Sequence, residues 1–201
     1  MPNRVFVIGN GKSLLSTNLN ALIGEKTYAV NKIWKLFNRK IKWRPTDYVR
    51  CEYPRYEKLD VEVDLREMSN VNHLVMHLDP RMLFTYQSVR RGNVETTARW
   101  MDVCEGAKHD WHLPKVCTYG TVITTAIQVA ILDGATEICL IGCDLEDGHF
   151  YDKTNTNIEL AYEAHKIAAR CSPVPIYNCS RGKLDMYPEA DLEERITDGR
   201  T

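Results

Sequence analysis

The sequence predicts an α/β fold: a Rossmann-like, mostly parallel, twisted sheet with helices on both faces. Three observations carry this. Short apolar runs alternate with helical patterns along most of the chain, and such alternation favours parallel strands joined by crossovers. The runs at 5–8 and 137–143 are nearly continuous in apolar residues, as strands covered on both faces are. The length, 201 residues, suits one domain with a real core.

The first strand, at 5–8, lies in "RVFVIGNGKSLL" and breaks into Gly9-Asn10-Gly11-Lys12-Ser13. A P-loop would need a glycine where Phe6 stands, and a dinucleotide fingerprint would need one where Leu14 stands. What remains is G-N-G-x-S. Two glycines permit close backbone approach, Asn10 places an amide between them, and the Ser13 hydroxyl suits a helix cap. The turn is either a ligand loop or a tight βα connection. A short helix is expected over 14–23, ended by Gly24, and a second strand at 28–30. Asn31 opens "NKIWKLFNR", a helix over about 31–39, as its N-cap or as a ligand contact.

Strands follow at 47–51 and 73–77. The stretch from 80 to 114 is the least regular and is expected to form an insertion or an acceptor-side lid; within it, His109-Asp110-Trp111-His112 reads as a solvated loop. A helix over 121–133 is apolar on most sides (Val122, Ile123, Ala126, Ile127, Val129, Ala130) and stops at Gly134, so it should be buried against the sheet. The strand at 137–143 runs into Asp144, followed by Glu146, Asp147, His149 and Tyr151. Thr156-Asn157-Ile158-Glu159 has the form of a capping box. The helix after it carries Leu160, Ala161, Ala164, Ile167 and Ala168 on one face. A last strand is expected at 175–178, and residues 197–201 should fray.

Formal net charge is −1, which gives no general affinity for polyanions and argues against a nucleic-acid partner. No run of eighteen apolar residues and no apolar leader after a basic start occur in the sequence. The expectation is a soluble, cytoplasmic protein without an integral membrane segment. Seven cysteines form no C-x-x-C pair, and several sit in apolar runs such as "EICLIGC". They read as buried free thiols rather than zinc ligands or disulfides.

In an open α/β sheet, ligands bind beyond the carboxyl ends of the strands. That rule selects Gly9-Asn10-Gly11, Asn31, the Arg50-Cys51-Glu52 step, and Asp144 with the polar residues after it. An acid straight after "CLIGC" has no evident partner nearby in sequence. His149, in a short polar loop, is a candidate general base that Asp144, Glu146 or Asp147 could orient, or else a solvated loop histidine.

With these residues assembled, the sequence resembles the small bacterial sialyltransferases that use CMP-sialic acid, and a wider set of sialyltransferase-like proteins. The resemblance rests on "VFVIGNGKSL", "YAVNKIW", "WRPTDYV", "TYGTVITTAIQVAILDGATEICLIGCDL" and the closing "IYNCSRGKLDMYP", spanning about residues 4 to 192 with a gap in the middle. That wider set is often grouped with an archaeal hydroxymethyl-dihydropterin diphosphokinase. The resemblance implies a GT-A-type variant of the Rossmann-like fold. It implies Asn10 beside the ribose and phosphate, and Asn31 near the nucleotide or donor sugar. Thr118-Tyr119-Gly120-Thr121 would shape the base and sugar pocket, and Tyr151 would hold the departing phosphate. The sialyltransferases place their catalytic histidine in a long lid, whereas only "EDGHFYDKTNTN" separates strand and helix here; His149 is the nearest substitute.

The resulting expectation is a nucleotide-sugar-dependent glycosyltransferase of the sialyltransferase-like kind, with Asp144 and His149 as catalytic residues. Gly9, Asn10, Gly11, Ser13, Asn31, Thr118, Gly120, Thr121 and Tyr151 would form a CMP-type nucleotide site. No metal or other cofactor is expected. The acceptor and any homo-oligomer are left open. Two rivals stand beside it. One is a diphosphokinase using ATP with Mg²⁺ on Asp144, Glu146 and Asp147. The other is a non-catalytic nucleotide-binding domain.

Overall fold

The computed structural model describes residues 3–50, 68, 111, 113–118, 120–146, 148–152, 157–180 and 182–198, together with the backbone of the strands between 73 and 102. Ten strands occur among them: β1 (Arg4–Ile8), β2 (Thr27–Val30), β3 (Asp47–Arg50), β4 (His73–Asp79), β5 (Met82–Gln87), β6 (Val89–Arg90), β7 (Asn93–Val94), β8 (Arg99–Asp102), β9 (Glu137–Ile141) and β10 (Ile176–Asn178). The α-helices are α1 (Val122–Leu132), α2 (Ile158–Cys171) and α3 (Leu192–Thr197). Eight strands form one sheet in the order β10-β9-β1-β2-β3-β4-β5-β8. Pairing is parallel from β10 to β4 and antiparallel beyond it.

The sheet is an α/β sheet, and the strand leading to Asp144 is interior to it. β9 runs parallel to β10 on one side and to β1 on the other, with Val5 opposite Ile138 and Val7 opposite Leu140. Alternate side chains of β1 feed two cores. Val5 and Val7 join α1 and α2 residues such as Ile127, Ala130 and Ala168. Phe6 and Ile8 join Leu14, Leu19, Ile33, Trp43 and Ile196 on the other face. Each β1 position from Val5 to Ile8 is buried, which is why the run reads as continuously apolar.

Three expectations need correction. The segment 14–23 is not an α-helix but two 3-10 turns, Lys12–Leu15 and Leu19–Leu22. Ser16, Thr17 and Asn18 lie between them, and the Ser16 and Thr17 hydroxyls bond back to the Ser13 carbonyl at 3.0 and 2.9 Å. Such local bonds compete with a continuing helix. The segment 31–39 is likewise a 3-10 helix, Asn31–Leu36, broken from α geometry at Lys32. The stretch 80–114, expected to be the least regular, contributes β5 and β8 to the antiparallel end of the sheet, and β6 and β7 to a separate ribbon. Of its histidine-bearing loop only Trp111 is among the described residues, packed partly buried against the core.

Helix α1 spans what its pattern predicts and is buried at every position from Ile123 to Ala130. Helix α2 starts one residue later than the capping box suggests: Asn157 caps it, its side-chain oxygen accepting from Leu160 N at 3.1 Å. The described cysteines are free thiols, with Cys117, Cys139 and Cys143 buried. Among the described residues, no helix is long and apolar enough to cross a membrane.

Candidate functional site

The carboxyl ends of β1, β2 and β9 face the N-terminus of α1 across a cavity of about 330 Å³. The cavity gathers Gly9, Asn10, Gly11, Asn31, Thr118, Gly120, Thr121, Asp144 and His149, nine residues that the sequence singles out from separate segments. Ser13 and Tyr151 stand outside it. Ser13 lines a different groove with Ser180 and Asp191, and Tyr151 lines one with Trp34 and Phe37. Arg50 is buried at the end of β3, while Cys51 and Glu52 lie outside the described residues.

One side of the cavity is a closed latch between the turn after β1 and the turn after β9. Gly9 N donates to Ile141 O at 2.8 Å and Gly11 N to Gly142 O at 2.7 Å. Ser13 N donates to Asp144 Oδ2 at 2.7 Å and Ser13 Oγ to Asp144 Oδ1 at 2.5 Å. Gly11 is required for this approach, because a Cβ there would lie 2.4 Å from Asp144 Oδ2. These N–H groups are engaged within the protein. Asp144, expected among the catalytic groups, holds the turn through both carboxylate oxygens and also lines the cavity. Ser13, expected as a helix cap or nucleotide contact, lies inside the first 3-10 turn and donates to Asp144.

The neighbouring wall is open in the hydrogen-bonding sense. Asn10 is 6% exposed, and its Nδ2 donates to Val30 O at 3.1 Å, which fixes the amide orientation. Its Oδ1 is buried with no partner. Asn31 Oδ1 is buried and unpartnered as well. Asn31 sits at φ 47°, in the left-handed region that asparagine tolerates better than most residues. Its carbonyl accepts from Tyr48 Oη at 2.6 Å. It does not act as a helix N-cap: Val30 holds that position, without a side-chain cap bond. A buried polar atom without a partner costs about 1–3 kcal/mol. Both residues line the cavity.

Across the cavity, the residues before α1 are held by Gln128. Its Oε1 accepts from Cys117 N at 2.8 Å, and its Nε2 donates to Cys117 O at 2.7 Å. Thr118 to Thr121 therefore start from a fixed point. Thr121 caps α1, its hydroxyl accepting from Ile123 N at 3.3 Å. Gly120 has φ 84°, and a Cβ on it would lie 2.5 Å from Ala164 Cβ, so glycine permits α2 to cross this turn. The positive end of the α1 dipole thus faces the cavity.

His149 lines the cavity at the outer side. Its N–H donates to Asp152 O at 2.9 Å, and its ring lies 5.1 Å from that of Tyr151. Tyr151 is covered by the Lys35 ammonium, 4.7 Å from the ring centroid. Tyr151 thus lines the neighbouring groove and not this cavity. Cys143 also lines the cavity. Burial, reinforced by the Asp144 charge, raises its thiol pKa, so it is a thiol and not a thiolate nucleophile. Of the carboxylates expected under the Mg²⁺ reading, Asp144 accepts from Ser13, Glu146 is exposed and Asp147 lies outside the described residues. Among the described residues, no three His, Cys, Asp or Glu side chains cluster as metal ligands.

Sequence reasoning missed His165. It lies on α2 in the buried stripe with Ala161, Ala164 and Ala168, is 1% exposed and lines the cavity. Its Nδ1 is 3.1 Å from Tyr187 Oη, which in turn lies 3.0 Å from the His165 carbonyl. Burial pushes its pKa down to about 4, so the ring is neutral near pH 7. The available signal was a polar residue inside an otherwise small, apolar helix face.

Compared with family models, with curated proteins and with solved structures, the chain gives no match.

Proposed function

We propose that the cavity binds a nucleotide, and that the chain is a nucleotide-sugar-dependent glycosyltransferase of the sialyltransferase-like kind. The observation that carries the reading is the pair of unpartnered amide oxygens, Asn10 Oδ1 and Asn31 Oδ1, on one wall. Two amide acceptors on residues that line one cavity suit the hydroxyl groups of a ribose or sugar. The N-terminus of α1 across the cavity suits a phosphate. Among the described lining residues there is no Lys or Arg, while Asp144 and Glu146 are acids. That charge balance favours a donor carrying a single phosphate, such as a CMP-sugar, over ATP.

In this reading the acceptor hydroxyl attacks the anomeric carbon as His149 takes its proton. The new glycosidic bond forms, the bond to the phosphate oxygen breaks, and the nucleotide leaves as its monophosphate. Backbone N–H groups at the start of α1 stabilise the charge growing on that phosphate without a cation. The test is thermal shift with CMP, CDP, UDP, GDP and ATP, each with Mg²⁺ and with EDTA. CMP is expected to stabilise the fold, by about 2.7 kcal/mol at a hundredfold excess over its dissociation constant, equally in EDTA. ATP binding that requires Mg²⁺ would replace this reading with the diphosphokinase, and no binding at all would leave a scaffold. Once an acceptor is in hand, His149→Ala should cut turnover about a hundredfold with nucleotide affinity unchanged.

A further inference from the structure

We propose that His165 is a ligand-binding, specificity-determining residue of the cavity: a neutral imidazole whose Nε2 accepts a hydrogen bond from an N–H or O–H group of the bound molecule. The proposal deepens the nucleotide reading and rests on it for the identity of the probe. The proton arrangement follows from two contacts. Tyr187 Oη lies 3.0 Å from the His165 carbonyl and 3.1 Å from His165 Nδ1. A phenol has one proton to donate, and a carbonyl can only accept. Both contacts are hydrogen bonds only if Tyr187 donates to the carbonyl and Nδ1–H donates to Tyr187. Burial raises the Tyr187 phenol pKa, so that proton stays in place. The neutral ring therefore carries its hydrogen on Nδ1 and leaves Nε2 as a bare acceptor.

Position supports the role. His165 is 1% exposed yet lines the cavity, on a helix whose neighbouring face is packed through Ala161, Ala164 and Ala168. Asn10 Oδ1 and Asn31 Oδ1, the buried unpartnered atoms on residues lining the cavity, are acceptors too. Three acceptors from three elements define a molecule rich in donors, with sugar hydroxyls or an exocyclic amine at its buried end. A histidine serving the fold alone would need only its Tyr187 bond and not a place on the cavity wall.

Two variants separate these roles. His165→Asn keeps an N–H near Nδ1 for Tyr187 and removes the acceptor; His165→Gln carries an oxygen toward the Nε2 position and gives up the Tyr187 bond. With CMP as the probe, calorimetry should give His165→Asn an affinity about tenfold or more below the parent. His165→Gln should stay within about threefold of the parent, although it melts lower. Equal CMP affinity in the parent and His165→Asn would overturn the proposal. Should neither variant fold, the imidazole ¹⁵N resonances of the parent decide: an Nε2 signal that does not move on CMP titration overturns it. Should the parent bind none of the nucleotides, the nucleotide reading fails alone. The ligand-free ¹⁵N shifts then test His165, and a proton found on Nε2 overturns the acceptor role.

Discussion

Two regions of one sheet edge treat their polar groups in opposite ways. Between the turns after β1 and β9, the N–H groups of Gly9, Gly11 and Ser13 all have acceptors, and both oxygens of Asp144 are engaged. One residue away in sequence, Asn10 leaves an oxygen without a donor, as does Asn31 just past the end of β2. The sequence marks the two regions alike, as polar residues following buried strands. Satisfaction separates them: a closed network holds the fold, whereas an open one waits for a partner. On the proposed reading, the difference puts Asp144 and Ser13 with the fold, and Asn10 and Asn31 with the ligand.

The largest effect that tests this division is on the latch. Asp144→Ala removes two charge-assisted bonds and leaves the half-buried Ser13 N–H without its acceptor. It should destabilise the protein by about 3 kcal/mol, a fall in melting temperature of roughly 6–12 °C for a chain of this size. Gly11→Ala should act in the same direction, since its Cβ would meet Asp144 Oδ2 at 2.4 Å. The folded fraction of Asp144→Ala should bind CMP much as the parent does. An unchanged melting temperature together with lost CMP binding would place Asp144 with the ligand groups and erase the comparison.

Much of this was legible in the sequence, for a physical reason. Burial on both faces makes interior strands continuously apolar, so β1, β2 and β9 declare themselves, and the strand-end rule then selects Asn10, Asn31 and Asp144. What the sequence could not carry was pairing across distance. Ser13 and Asp144 are 131 residues apart, and no local pattern says that the serine takes up the acid. The same holds for His165 and Tyr187, 22 residues apart. The 3-10 turns escaped because apolar spacing at Leu14, Leu19 and Leu22 fits an α-helix. It is the hydroxyls of Ser16 and Thr17, bonding to Ser13 O, that accompany the break.

A second effect comes from His165, where satisfaction and openness meet in one ring. Its pKa lies at about 4 because burial disfavours the charged form, against about 6.5 in the unfolded chain. Between these values the unfolded chain binds the proton more readily, so stability rises with pH across the window. The contribution is complete above about pH 6.5 and is lost as pH falls toward 4, by up to about 3 kcal/mol. Urea unfolding at steps from pH 7 to pH 4.5 should show this slope, and His165→Gln should flatten it. A slope identical in parent and variant would mean that other groups carry it.

Asn10→Ala sharpens the contrast, because it should affect binding more than folding. The variant gives up the bond from Nδ2 to Val30 O, worth about 1 kcal/mol, but also removes a buried oxygen that has no partner. The two terms oppose, so unfolding free energy should stay within about 1 kcal/mol of the parent. CMP affinity should fall about tenfold, as expected for one lost acceptor. Undiminished affinity would return the G-N-G turn to a plain βα connection.

The smallest stability change, and the most discriminating, is expected at Asn31. Its φ of 47° strains most side chains, and glycine adopts that region without strain. Asn31→Gly also removes the unpartnered Oδ1. Against these gains stands the greater freedom of glycine in the unfolded chain, about 0.5–1 kcal/mol. The terms nearly cancel, so the melting temperature should stay within about 2 °C of the parent. Asn31→Ala removes the same oxygen but keeps a Cβ in the left-handed region, and should cost about 1 kcal/mol more than the glycine variant. If the oxygen exists for a ligand, both variants lose CMP affinity by the same factor while differing in stability. Affinity that follows stability, with glycine binding like the parent and alanine weakly, would make the backbone conformation the functional feature and release the Asn31 side chain from the site.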